Sequence, residues 1–251
     1  MPDITIELFS GTDNIVPEGQ QLMRNVFRTD HGILQRYLWK NEHYFTRIEP
    51  AGWDSPCRLG IPKDFFDKFC QNGNWLSILA IERLFLPFGR VVLHASAVIW
   101  EEAAYLFVAK SGGGKSTQAA LWESCGAEVL NGDKVVIAKE KDTWYAYGSP
   151  VAGSSGIYKN KCAPLAAIFM VQKSDENRIT PLSKRESFLR LYSNAKKSEW
   201  DQEFNCRLLD ILEGAAMQIP TLQLECTPDK HAVHCTQRYV KGLTYEKRKG
   251  F

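Results

Sequence analysis

From about residue 75 onward, the apolar residues follow helix-like spacing in some segments and strand-like spacing in others. The pattern predicts a helix over residues 76–86, strands over 91–100 and 104–108, and a helix over 116–124 that Gly126 ends. Further segments are predicted as strands over 127–130, 135–138, 144–147, 165–171 and 221–226, and as helices over 183–192, 203–218 and from Pro228 onwards. Interleaved helices and strands predict an α/β or α+β core.

The pattern of apolar, turn and charged residues divides the chain into three parts. Residues 1–74 mix short strand-like runs with turn residues, which predicts a small α+β module of unknown role. Residues 75–242 carry the helix and strand pattern and form the predicted main domain. Residues 243–251 are basic and are predicted to be a tail.

Composition is that of an ordinary globular protein. Of 251 residues, 44% are hydrophobic and 24% charged, and the net charge of +2 gives no reason to expect nucleic acid or an anionic membrane as a partner. The seven cysteines are odd in number and none shows Cys-x-x-Cys spacing, which favours reduced thiols and a cytoplasmic location. The start of the chain lacks the features of a signal peptide, and the most apolar stretch, 75–88, is too short to span a membrane.

A glycine-rich segment at residues 109–117 carries the clearest chemistry. It reads Ala109-Lys110-Ser111-Gly112-Gly113-Gly114-Lys115-Ser116-Thr117 and matches the Walker A pattern, with alanine in place of the first glycine. Glycines let backbone N–H groups point inward at phosphate oxygens, at the positive end of the following helix. Lys115 would reach the β- and γ-phosphates, and the Ser116 hydroxyl would ligate Mg²⁺. A chance glycine turn is the alternative, but the predicted flanking strand and helix favour phosphate binding.

The surrounding motifs add a family resemblance. His94 lies in Leu93-His94-Ala95-Ser96-Ala97-Val98, Asp133 follows Asn131-Gly132, and residues 226–233 read Cys-Thr-Pro-Asp-Lys-His-Ala-Val. Over about residues 90–240 this arrangement resembles the catalytic domain of HPr kinase/phosphorylase, and more closely a group of HPr-kinase-like bacterial proteins. The resemblance does not extend to the first 75 or so residues.

The resemblance implies a P-loop core of the HPr kinase/PEP carboxykinase type with a mixed sheet, and ATP and Mg²⁺ as cofactors. It implies phosphoryl transfer to a serine hydroxyl, with Lys115, Asp133 and His94 as catalytic residues and Ser116 and Asp133 as metal ligands. Residues Ser111, Gly112, Gly113, Gly114, Lys115, Ser116 and Thr117 would bind the nucleotide. Gly132 stands where the first of the family's two acidic residues would fall.

Three features of this region also have a second interpretation that does not involve catalysis. Asn131-Gly132 is also a signal for a type I′ hairpin, in which Asp133 is a turn residue. His94 is also compatible with a half-buried strand histidine that bonds a backbone carbonyl. The loop over 149–156, with Ser154 and Ser155 as candidate substrate-binding residues, is also compatible with an ordinary surface loop.

The favoured function is an ATP-dependent kinase that acts on a hydroxyl of a small molecule or peptide. The alternative is a non-catalytic nucleotide-binding module that regulates a partner protein in a biosynthetic gene cluster. A GTPase or transporter ATPase is disfavoured, because their signature sequences are missing. Zinc binding by Cys226, His231, His234 and Cys235 is disfavoured because no Cys-x₂-Cys element accompanies them. A homo-oligomer is compatible with the sequence.

Overall fold

The computed structural model describes residues 4–11, 18–39, 43–52, 54–71 and 74–249. Contacts between Cα atoms divide the chain into two compact units, Met1–Leu84 and Phe85–Phe251. The division therefore falls later in the chain than the predicted boundary at residue 74.

The first unit is built on a six-stranded sheet of order β1-β6-β5-β4-β3-β2, in which only the β1–β6 pairing is parallel. Its elements are β1 (Ile6–Ser10), β2 (Gln20–Met23), β3 (Val26–Thr29), β4 (Gly32–Trp39), β5 (His43–Pro50), β6 (Cys57–Ile61), α1 (Phe66–Gln71) and α2 (Ile81–Phe85), whose last residue is the first of the second unit. Phe45, Leu59 and Ile61 are among its most buried side chains.

The helix predicted over 76–86 is not continuous. A 3-10 turn over Asn74–Ser77 precedes α2, and another over Leu86–Phe88 follows it. Ala80 has a φ of 51°, a left-handed conformation that an α-helix cannot contain. Pro87 in the second 3-10 turn further prevents a regular helix from continuing.

The second unit is built on a mixed sheet. Its strands are β7 (Arg90–Trp100), β8 (Ala103–Val108), β9 (Glu128–Asn131), β10 (Lys134–Glu140), β11 (Thr143–Tyr147), β12 (Cys162–Lys173), β13 (Arg178–Pro181) and β14 (Thr221–Cys226). Its helices are α3 (Lys115–Ser124), α4 (Lys184–Asn194), α5 (Gln202–Gln218) and α6 (Lys230–Lys249). Neighbouring strands follow the order β11-β10-β7-β8-β12-β14-β13, with β9 also paired to β7. The pairings β8–β12 and β12–β14 are parallel, which agrees with the predicted α/β class.

Two hydrophobic layers cover the two faces of this sheet. Leu93, Ala95 and Ala97 of β7 belong to a cluster with the buried residues of α4 and α5. Val98 of the same strand belongs to the other cluster, with buried residues of α3 and α6 such as Trp122. Because successive strand side chains point to opposite faces, one strand serves both layers.

The end of the chain differs in detail from the sequence-based expectation. The last helix begins at Lys230 rather than Pro228, and Asp229 Oδ1 accepts a hydrogen bond from the His231 N–H. Residues 243–249, predicted as a basic tail, continue this helix. No helix in the described part of the chain has the length and apolarity that a membrane crossing requires.

Candidate active site

The glycine loop, residues 109–114, connects the end of β8 to the start of α3. Gly112 and Gly114 have φ values of 72° and 102°, which strongly favour glycine. The Gly113 N–H donates to the Lys110 carbonyl at 2.9 Å. A Cβ atom on Gly113 would lie 2.7 Å from the Ala109 Cβ. Alanine in the first loop position therefore makes glycine at 113 still more necessary, and the loop keeps its tight turn.

Lys115 is the first residue of α3 and is almost fully buried, with 7% of its surface exposed. Its Nζ donates to the Ala109 carbonyl at 3.0 Å and to the Lys110 carbonyl at 3.5 Å, so the side chain folds back over the loop. Burial lowers the pKa of this amine, and the negative charge of Asp133 opposes that effect. Lys115 and Asp133 are therefore close enough to interact electrostatically.

Strand β7 carries His94 and is hydrogen-bonded to the start of α3. The buried Ser96 hydroxyl donates to the Lys115 carbonyl at 2.8 Å and fixes the first turn of the helix to the strand. His94 lies two residues earlier, on the same face of β7. Its Nδ1 is 3.2 Å from Asp133 Oδ1. Burial, and then the positive charge of Lys115, lower the pKa of His94, although Asp133 opposes them.

Asp133 lies in an interruption of a long strand rather than in a hairpin. Both β9 and β10 pair antiparallel with β7, at 97–99 and at 90–94 respectively, so the chain runs on past the same partner strand. Gly132 and Asp133 lie between the two paired segments, and the Ala95 N–H donates to the Asp133 carbonyl at 2.9 Å. The type I′ hairpin interpretation is therefore wrong: β9 and β10 do not pair, and neither Asn131 nor Gly132 has a positive φ. Such bulges reorient side chains, here that of Asp133 toward His94.

Asn131 holds this bulge in place, a role that the sequence did not reveal. It is fully buried, and its Oδ1 accepts from the N–H groups of Asp133 at 2.8 Å and Lys134 at 2.9 Å. Its Nδ2 donates to the carbonyls of Ser149 at 2.9 Å and Val151 at 3.3 Å. One side chain therefore ties the Asp133 backbone to the loop over residues 149–156. An Asn immediately before Gly-Asp was a usable signal, because Asn commonly bonds backbone two residues ahead.

The predicted substrate loop lies against the bulge. A Cβ on Gly132 would be 2.0 Å from the Ser155 Oγ and 2.7 Å from its Cβ, and a Cβ on Gly153 would be 2.7 Å from the Asp133 Cβ. Ser155 Oγ itself donates to the Ala152 carbonyl at 2.7 Å. Ser155 therefore fills the space into which an acid at position 132 would project. The side chain of Ser154 lies outside the described part of the structure.

The remaining candidate ligands are exposed at the loop and the first turn of α3. Ser111, Ser116 and Thr117 present accessible hydroxyls. Within the described residues there is no cluster of three or more His, Cys, Asp or Glu side chains that would hold a metal ion. Mg²⁺ differs from such metals in that it often takes only one or two protein oxygens together with phosphates and water. Ser116 and Asp133, the predicted metal ligands, each carry an oxygen of that kind.

Two cavities flank the glycine loop. The first, of about 480 Å³, lies toward α3 and α6 and is lined by Gly114, Thr117, Gln118, Asp175 and Pro228 among others. The second, of about 620 Å³, lies toward α4 and is lined by Lys110, Ser111, Lys173, Arg190 and Asn194 among others. Both volumes are in the range of small-molecule sites.

Comparison with known proteins leaves the family unassigned. No family model matches the chain, and no curated protein matches it. Among solved structures, the Hpr(Ser) kinase/phosphatase from Coxiella burnetii aligns with 63% of this chain and 98% of its own, at 10% identity and a TM-score of 0.38. A TM-score this low carries no argument about fold or function. The resemblance to HPr kinase/phosphorylase therefore stays an interpretation of the sequence motifs.

Proposed function

We propose that this protein is an ATP-dependent phosphotransferase that transfers the γ-phosphoryl group to a hydroxyl acceptor. The observation that carries the proposal is the convergence of Lys115, His94 and Asp133 beside one glycine loop. The three side chains come from α3, β7 and the bulge after β9. The Asp133 charge acts on the pKa of both Lys115 and His94, and the Lys115 charge acts on that of His94. Functional sites concentrate such electrostatically coupled groups. The Walker A pattern and the HPr-kinase-like motifs support the same activity.

The loop and Lys115 bind the phosphates in this proposal. Gly112 and Gly114 of the loop supply backbone N–H groups at the positive end of α3. The Lys115 ammonium exchanges its loop carbonyl partners for phosphate oxygens and stabilises charge that develops during transfer. When bound, Mg²⁺ supplies further positive charge at the phosphates, and Ser116 and Asp133 are the residues that would hold it.

Asp133 and His94 handle the acceptor. The acceptor oxygen bonds to the γ-phosphorus as the bond between that phosphorus and the bridging oxygen breaks and ADP leaves. The hydroxyl proton passes to the Asp133 carboxylate, which is partly exposed, with 27% of its side-chain surface accessible. His94 lies beside that carboxylate and orients it. Ser154 and Ser155 border the acceptor, which the family resemblance suggests is of the serine type.

A second candidate function is a nucleotide-binding module without catalysis. The observation that favours it is the contact between Gly132 and Ser155, which leaves no room for an acid at position 132. In that case Asp133 serves the metal alone, and bound nucleotide regulates a partner protein.

A transfer assay separates the two candidates. ATP and Mg²⁺ are mixed with the protein and a panel of serine, threonine, small alcohols and serine-containing peptides, with ³¹P NMR as readout. A new phosphoester signal that requires both Lys115 and Asp133 supports the kinase. Nucleotide binding without transfer to any member of the panel supports the regulatory module. No nucleotide binding contradicts both.

A further inference from the structure

The second cavity beside the glycine loop has a one-sided charge. Lys110 of the loop, Lys173 at the end of β12 and Arg190 of α4 all line it, and none of its lining residues is Asp or Glu. Within the described residues, no ion pair involves any of these three side chains at 4.0 Å or less, and all three are exposed. A cleft with cations alone attracts anions, because its low-dielectric walls concentrate the field.

The first cavity provides an internal contrast. It also includes Lys173, but Asp175 lies in its lining and balances that charge. It is bordered by apolar and neutral groups such as Val171, Pro228 and the Gln118 amide. An uncharged nucleoside suits the first cavity, whereas the second is suited to a negatively charged group.

The end of α4 would normally oppose an anion, because helix C-termini carry partial negative charge. Side chains here reduce that effect by occupying the terminal carbonyls. Ser193 Oγ donates to the Leu189 carbonyl at 2.7 Å, and Asn194 Nδ2 donates to the Arg190 carbonyl at 2.8 Å. Lys197 Nζ donates to the Tyr192 carbonyl at 2.8 Å and adds a positive charge to the same helix end.

One end of the cavity lies next to a segment that pairs with β7. Asn194 lines it, and the next residue, Ala195, forms a β-bridge with Leu93. Leu93 directly precedes His94, whose imidazole lies beside Asp133. The cavity therefore reaches from the glycine loop to the backbone segment paired with β7, while the His94 side chain lies on the other face of that strand.

We propose that the second cavity binds an anionic group of the acceptor, a phosphate or a carboxylate, through Lys110, Lys173 and Arg190. This inference rests on the proposed function and narrows its substrate to hydroxyl compounds that carry such a group. The Arg190 guanidinium is the key residue, because it presents a planar pair of donors to two oxygens of the anion. At about 620 Å³ the cavity also accommodates the carbon skeleton around that group.

The test uses inorganic phosphate and acetate as probes of the full-length protein. The protein is first saturated with Mg²⁺ and a non-hydrolysable ATP analogue, so that the glycine loop is filled. Each probe is then titrated by calorimetry into wild type, Arg190→Gln and the matched control Arg185→Gln, an exposed arginine of the same helix outside this cavity. We expect wild type to bind a probe, Arg190→Gln to weaken that binding about tenfold, and Arg185→Gln to change it less than about twofold.

Phosphate that binds more tightly than acetate indicates a phosphorylated acceptor, and the reverse order indicates a carboxylate. Absence of probe binding to nucleotide-saturated wild type, or equal losses in the two arginine variants, would overturn the proposal. A tenfold loss of affinity for the ATP analogue itself in Arg190→Gln would also overturn it, because the cations would then serve the nucleotide.

The first step tests the proposed function separately. If wild type does not bind the ATP analogue, the proposed function fails. The probes are then titrated into nucleotide-free protein. Probe binding that only Arg190→Gln weakens supports an anion site in the cavity, and equal behaviour of the two variants overturns it.

Discussion

The two regions that form the proposed site are built in opposite ways. The glycine loop is specified locally: three glycines, a buried lysine and the first turn of α3 lie within a few residues of each other in the sequence. The Asp133 bulge is specified by distant contacts. Its geometry depends on pairing with β7, on Asn131 and on the loop over 149–156. The glycine loop can therefore be predicted from sequence, whereas the position of Asp133 is decided by tertiary structure.

Loss of the Lys115 charge should have the largest effect. In Lys115→Met we expect transfer to fall about 10²–10³-fold, because the group that stabilises the developing charge is removed. Nucleotide affinity should also fall, about tenfold. Transfer rate and a nucleotide titration measure the two effects, and Lys139→Met, at an exposed position of β10, is the control. Equal behaviour of the two variants would contradict the role of the loop.

Loss of the Asp133 charge should affect chemistry more than nucleotide binding. In Asp133→Asn we expect transfer to fall about 10²-fold or more, the usual contribution of a positioned base. Affinity for metal-free nucleotide should stay within about twofold. The exposed Asp142 provides the control Asp142→Asn. Full transfer by Asp133→Asn in a kinetic assay would show that the proton goes elsewhere.

Removal of the Asn131 side chain should disturb the bulge but leave the glycine loop intact. Asn131→Ala leaves backbone groups of Asp133, Lys134 and Ser149, one buried and two partly buried, without this partner, at a cost of about 3 kcal/mol. Urea denaturation measures the free energy of unfolding, with the exposed Asn160→Ala as the control. A loss below about 0.5 kcal/mol would mean that Asn131 is not needed for the bulge.

Disturbing the contact between Gly132 and Ser155 should lower stability by a smaller amount, which a second substitution should partly restore. Gly132→Ala should cost about 2 kcal/mol in the free energy of unfolding, because its Cβ overlaps Ser155. Adding Ser155→Gly should recover part of that loss in a double-mutant cycle. Gly52→Ala is the control, since a Cβ there meets open space. Additive effects of the two substitutions would argue against the contact.

The smallest effect concerns the attachment of α3 to β7. Ser96→Ala removes the buried hydrogen bond to the Lys115 carbonyl and should cost about 1 kcal/mol. The same substitution at exposed Ser124 should cost less than about 0.5 kcal/mol. Thermal denaturation of the two variants makes the comparison, and equal midpoints would show that Ser96 does not fix the helix start.

The sequence predicted most elements of the second unit closely. Strands at 91–100 and 104–108 and the helix at 116–124 were within about one residue of the observed bounds, because their apolar periodicity and glycine signals are local. The helix over 76–86 was wrong, since the left-handed Ala80 interrupts it. The hairpin at Asn131-Gly132 was wrong because pairing of both flanking strands with β7 decides that geometry.

Some site features followed from sequence and others did not. The positions of His94 and Asp133 near the loop agree with the motif spacing, but the buried role of Asn131 and the packing of Ser155 on Gly132 depend on contacts over many residues. The cation-lined cavity joins residues from the loop, β12 and α4, which are far apart in the chain. A cytoplasmic location, a homo-oligomeric state and the chemical roles of the site residues stay predictions.

The magnesium dependence of nucleotide binding tests most directly whether the loop and the bulge form one site. Affinity for a non-hydrolysable ATP analogue is measured with and without Mg²⁺ in wild type, Asp133→Asn and Lys115→Met. We expect Mg²⁺ to strengthen binding to wild type, and this gain to be lost in Asp133→Asn while metal-free affinity is kept. Lys115→Met should bind weakly in both conditions. An unchanged magnesium gain in Asp133→Asn would contradict the account, because Asp133 would then not act on the nucleotide that the loop binds.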